Sequence, residues 1–142
     1  MSIQPYLKTI FACLFIGLSC SFCSKKDKTK PKPVEKDLAV TIDGVIVDSD
    51  MNATQGTTHN ITINITSEMP PGGVTIEVTA METPQNTMIP QDGPITTSEK
   101  STSFTLKDLT SLKLVQVTVK VTSVSKPGNT VTLQFGTWNK VQ

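Results

Sequence analysis

The chain has 142 residues, 13 basic and 12 acidic side chains, a formal net charge of +1 and only 5% aromatic residues, enough for one domain of modest size with a short extension. The balanced charge, with no basic stretch studded with aromatics, excludes nucleic acid as the expected partner. Its cysteines, Cys13, Cys20 and Cys23, all precede Ser24, so whatever folds beyond them has neither a disulfide nor a thiol nucleophile and depends on apolar burial.

The chain opens with Lys8, an apolar run from Ile10 to Leu18, and then Ser19-Cys20 and Cys23. That run is shorter than the roughly 20 apolar residues a bilayer-spanning helix needs. A basic start, a short apolar core and a small residue before a cysteine are the pattern of an export signal, read here over residues 1–19. The junction resembles the lipobox of bacterial lipoproteins, which implies that a cysteine becomes the lipidated N-terminus. Ser19 precedes Cys20 and bulky Phe22 precedes Cys23, so Cys20 is the expected lipidation site and Cys23 the alternative. The run Ser24-Lys25-Lys26-Asp27-Lys28 resembles the charged segment behind the anchor cysteine in lipoproteins of Bacteroidota. That resemblance implies a lipid-anchored protein of the cell envelope, in the outer membrane, on its periplasmic face or at the cell surface.

From residue 20 to residue 37 the chain is rich in lysine and proline and nearly free of apolar side chains beyond its cysteines, so it cannot bury enough surface to offset the entropy of ordering. It reads as a tether. Its fourteen residues from Ser24 to Asp37 reach at most about 45 Å when extended. Six lysines face three acids between Lys25 and Asp37, whereas from Leu38 onward nine acids outnumber six lysines. The basic strip could rest on anionic headgroups or serve as a solvated spacer.

Residues 38–142 alternate with period two. His59 to Thr66 places Ile61, Ile63 and Ile65 on one side of a strand and polar residues on the other, and the same alternation recurs in Val74–Ala80, Val115–Val121 and Val131–Phe135. Leu38 to Val47 reads as a first strand, bulged at Gly44 or turned as a hairpin on Asp43-Gly44, and Ser103 to Leu106 as a further short one. Pro70-Pro71-Gly72-Gly73, Pro84 to Pro94 and Lys126-Pro127-Gly128-Asn129 are the breakers between strands. About seven such strands, each with one apolar face, predict an all-β antiparallel sandwich of two sheets.

The stretch from Phe104 through Leu109 to Val121 resembles the corner between the fifth and sixth strands of fibronectin type III and related immunoglobulin-like (Ig-like) domains. There a leucine precedes a turn and a long alternating strand. The resemblance implies a single Ig-like sandwich and leaves its activity open.

Asp48, Asp50 and Asn52 place oxygens at alternate positions, as the first half of a calcium loop does. However, Ala53 stands where such a loop needs glycine and His59 where it needs a bidentate glutamate. They are weak metal candidates, and a plain polar loop between strands explains them as well. His59 is the one histidine, without a serine, cysteine or acid at an informative spacing, and reads as a strand-edge residue. Trp138 follows Gly136, where a bulge could shift it from the opposite face to the core side, and core or rim packing is expected ahead of stacking on a ligand. The Asn-X-Thr triplets at Asn52, Asn60 and Asn64 read as strand threonines, and Met69, Met81 and Met88 as gap-fillers. Glu68, Glu77, Glu82, Asp92, Glu99 and Asp108 form no recognisable pair of catalytic carboxylates.

The expectation is therefore a lipid-anchored, non-catalytic module, without cofactor, whose ligand the sequence does not name. It would bind or brace a protein partner in the envelope or outside the cell through loops or an exposed strand edge. The long connection from Glu82 to Lys100 is the first candidate contact surface. The alternative is a calcium- or carbohydrate-binding module.

Overall fold

The computed structural model describes residues 34–140, all of them strand, turn or loop. The lipidation candidates Cys20 and Cys23, the signal and most of the tether lie outside the described residues. Among the described residues nine strands form, β1 (Val40–Asp43), β2 (Asn52–Gln55), β3 (His59–Ile65), β4 (Val74–Glu82), β5 (Thr87–Ile89), β6 (Ile95–Thr97), β7 (Ser101–Leu106), β8 (Leu114–Ser123) and β9 (Thr130–Lys140). They make a three-stranded sheet in the order β1-β3-β7 and a larger one in the order β2-β9-β8-β4-β5, with β6 also on β4.

The period-two segments become the central strands because each has one face to bury. Ile61, Ile63 and Ile65 of the small sheet share one apolar cluster with Val74, Ile76, Val78 and Ala80 of β4, Val115 to Val121 of β8 and Phe135 of β9. Polar side chains, threonines above all, occupy most of the opposite faces. The result is a two-sheet, sandwich-like all-β unit.

Two expectations need correction. The segment Leu38–Val47 is neither a bulged strand nor a hairpin: β1 stops at Asp43, and Gly44 takes a φ of 95°. There a Cβ would stand 2.9 Å from the Asn60 carbonyl oxygen, so only glycine fits comfortably. The chain then crosses to the other sheet and forms β2, which pairs parallel with β9. The larger sheet is thus mixed, whereas the small one is purely antiparallel.

The folded unit also makes contacts ahead of Leu38. The Asn129 side chain in the β8–β9 turn accepts the Leu38 N–H (2.8 Å) and donates to the Lys36 carbonyl (2.8 Å) and to the Glu35 carboxylate (2.7 Å). Ser125 donates to the other Glu35 oxygen. These hydrogen bonds, led by the one from Ser125, hold the Glu35 carboxyl below its ordinary pKa. The chain therefore enters at the end that carries the β8–β9 turn, whereas β9 finishes at the opposite end, about 35 Å away for an 11-residue strand.

Candidate binding surface

Asn52 is a hinge of the fold rather than an open oxygen ligand. It is buried, its side-chain oxygen accepts the Ile46 N–H at 2.7 Å, and its amide nitrogen lies 2.9–3.0 Å from the carbonyls of Ile46, Ser49 and Gly136. The loop before β2 is thereby strapped along β9, with further bonds from Asp48 N–H to the Gln134 carbonyl and from Gly136 N–H to the Ser49 carbonyl. Asp50 accepts a hydrogen bond from the Gln116 side chain at 2.8 Å and sits directly over Gly136. Among the described residues, no three His, Cys, Asp or Glu side chains are grouped to share a metal ion.

His59 is more than an edge residue, because it joins the two sheets. Its Nδ1 is 2.8 Å from the Thr137 hydroxyl of β9 and its Nε2 is 3.3 Å from the Gly44 carbonyl. A neutral ring satisfies both, donating from Nε2 to the carbonyl and accepting the hydroxyl proton at Nδ1. Burial lowers its pKa below the ordinary 6.5, against a smaller opposing effect of the Gly44 carbonyl. Since folding favours the neutral ring, this contribution is complete above about pH 6.5 and is lost as pH falls towards the lower folded-state value. Chemical denaturation between pH 7.5 and 5 should show a decline in stability that His59→Gln flattens; an equal decline in both proteins would mean that His59 does not cause it.

The outer face of the larger sheet is divided along its length. Towards the end where the chain enters, the cross-strand rows are polar: Thr75 and Thr122, Glu77 and Lys120, Thr79 and Thr118 on β4 and β8, continued by Thr130, Thr132 and Gln134 on β9. Towards the far end they turn apolar. Met88 of β5 pairs with Met81 of β4, and Leu114 of β8 with Trp138 of β9. Met81 is 37% exposed and Met88 65%, while Leu114 and Trp138 are half-buried. Leu112, 70% exposed, borders the row, its N–H donating to the Asn139 carbonyl. Diagonal neighbours on a sheet face are close enough for long side chains to touch, so Met81 and Leu114 connect the pairs into one patch.

This placement corrects two expectations. The β8–β9 register runs unbroken from Leu114–Trp138 to Thr122–Thr130, so Gly136 makes no bulge and Trp138 remains on the outer face. A Cβ at position 136 would collide with the Asp50 carboxylate and come within 3.0 Å of the Asp50 Cα; the glycine leaves room for the β2 loop. Met81 and Met88 are surface residues, and of the methionines expected to fill gaps only Met69 packs against the core. Lys113 and Glu82 flank the patch with an ion pair at 3.2 Å. Hydrogen bonds from Thr110 and then Lys113 keep the Glu82 carboxyl below its usual pKa.

The connection from Glu82 to Lys100 joins the sheet through two three-residue strands, β5 and β6, separated by Pro90 to Pro94. Gln91 ties its middle to the end of β7: its side chain takes both the N–H and the carbonyl of Lys107, and Asp92 pairs with the Lys107 ammonium at 2.8 Å. The connection stays exposed along most of its length, and Met88 on β5 is the large apolar side chain it presents at the surface.

No family model matches the chain, and no curated protein matches it either.

Proposed function

We propose that this chain is a non-catalytic, lipid-anchored protein of the cell envelope, held through Cys20 or alternatively Cys23, whose Ig-like domain binds a protein partner. The order β1-β3-β7 against β2-β9-β8-β4-β5 supports the Ig-like reading, because strands neighbouring in sequence are divided between sheets as in that sandwich. The observation that carries the binding role is the apolar patch of Met81, Met88, Leu112, Leu114 and Trp138 on a sheet face otherwise lined with polar and charged side chains. Contiguous exposed apolar surface of this kind marks interaction sites, and methionine and tryptophan are favoured at interface centres. The patch stands at the end away from the point where the tether joins.

Trp138 on the outer face also favours a second reading, a glycan partner, since an indole can stack on a sugar ring. Titration with glycans tests this reading: saturable quenching of Trp138 fluorescence would support it, and unchanged emission would count against it.

Labelling cells with a clickable fatty acid should mark the full chain, with the label lost in Cys20→Ala; label retained when both Cys20 and Cys23 are replaced would overturn the anchor. Met81→Lys together with Met88→Glu, opposite charges on a directly paired and exposed cross-strand site, should leave the melting temperature nearly unchanged yet remove the protein from its envelope complex on native gels. An unaltered complex would count against the patch.

A further inference from the structure

We infer that the free edge of β7 is a contact between two copies of this chain, which pair antiparallel about Ser103 and join their small sheets into one. This contact is separate from the apolar outer face, so either can fail without the other.

Among the described residues the small sheet ends at β7, which pairs there only with β3. The direction of its backbone groups follows from its two ends. The Lys100 carbonyl accepts the Ile65 N–H at 2.8 Å and therefore points inward to the sheet. Lys107 points the other way, where the Gln91 side chain takes its N–H at 3.0 Å and its carbonyl at 3.2 Å. Successive residues of a strand alternate in the side to which they present their N–H and C=O. Ser101, Ser103 and Thr105 thus share the outward direction of Lys107, and their backbone donors and acceptors meet no strand.

An edge of this kind is a template for another strand unless proline, charge, a bulge or a cover blunts it. The other edges are blunted or short: β5 and β6 are interrupted by Pro90 and Pro94, and β1 and β2 have four residues each. Within β7, Ser101-Thr-Ser-Phe-Thr-Leu106 contains neither proline nor charge. Gln91 caps the edge at Lys107 and so marks where added pairing must stop.

The occupant and its register follow from the same residues. Thr102, Phe104 and Leu106 face the core side and Ser101, Ser103 and Thr105 the wet side. A joined sheet must match like faces, which leaves registers centred on a residue rather than between residues. Centring on Phe104 would set Ser101 against the capped Lys107, and centring on Thr102 would leave Thr105 to pair beyond the strand. Centring on Ser103 lets every open residue find an open partner: Ser101 with Thr105 of the second copy, Ser103 with Ser103, and Thr105 with Ser101. In that register Glu99 falls opposite Lys107 of the other copy at both ends, so the charges that flank the strand are complementary to themselves under a two-fold axis.

The detergent-solubilised full chain carrying Ser103→Cys, oxidised and digested with trypsin, tests this directly. Lysines at 100 and 107 release residues 101–107 as one peptide, identifiable apart from Cys13, Cys20 and Cys23. Opposed residues of an antiparallel pair lie about 5.5 Å apart at Cα, within reach of a disulfide. The expected product is that peptide linked to itself, at least ten times more abundant than in Ser101→Cys, with Ser103→Lys shifting the otherwise unaltered chain from dimer to monomer in sedimentation velocity. Equal linkage at positions 101 and 103, linkage of the Ser103→Cys thiol to another protein instead, or a monomeric unaltered chain would each overturn the inference.

Discussion

Asn52→Asp is expected to destabilise the domain by about 3 kcal/mol or more, because it replaces an amide donor with a carboxylate oxygen among the carbonyls of Ile46, Ser49 and Gly136. The substitution is nearly isosteric, so packing does not account for such a loss. It also separates two roles of the loop. A metal-binding loop would gain from an added carboxylate and show stability that rises with calcium, whereas a strap that bonds β2 to β9 loses its donor whatever the calcium concentration. Urea unfolding with calcium and with chelator measures both. Stability equal to the unaltered protein, or restored by calcium, would mean that the amide does not hold the loop.

The second large effect is expected at the corner between the sheets. Leu109 is fully buried, its N–H donates to the Thr57 carbonyl at 2.9 Å, and its carbonyl accepts from the Asn139 amide at 3.2 Å. Its side chain therefore closes the core at the end far from the β8–β9 turn, held there by backbone bonds that a truncation leaves in place. Leu109→Ala should cost about 2–5 kcal/mol, the lost transfer energy plus that of the cavity. Leu112→Ala, three residues further on and 70% exposed, should change stability by less than about 0.5 kcal/mol. Comparable losses at both positions would show that the corner is not organised around Leu109.

That corner illustrates what can be read in advance. The alternating isoleucines of β3 and valines of β8 bury one face each, and no other backbone conformation gives period two, so the central strands and their inward residues follow from the pattern alone. Leu109 stands out because it breaks from a polar turn just before a long alternating strand. The strand β2 gives no such signal: Asn52-Ala-Thr-Gln55 has no apolar face, and it forms because the edge of β9 pairs with its backbone and the buried Asn52 side chain fixes the loop ahead of it. The end of β1 at Gly44 likewise depends on the nearness of the Asn60 carbonyl, a tertiary fact. The methionine and tryptophan patch is hidden for a related reason. Met81 and Met88 are seven positions apart and Trp138 much further along, and only the register of four strands brings them to one face. Trp138 belongs in the core only if Gly136 is a bulge, whereas the glycine instead makes room for Asp50.

The account rests on the apolar end of the outer face being the surface that meets a partner. A photo-crosslinking residue placed singly at Met81, Met88 or Leu112, and for comparison at Thr122 or Thr132 on the polar end of the same face, can be irradiated in intact cells expressing the full chain. The account predicts a discrete adduct of one mass from the first three positions and none from the two threonine positions. Adducts from the threonine positions alone, or equal yields from both ends, would contradict it.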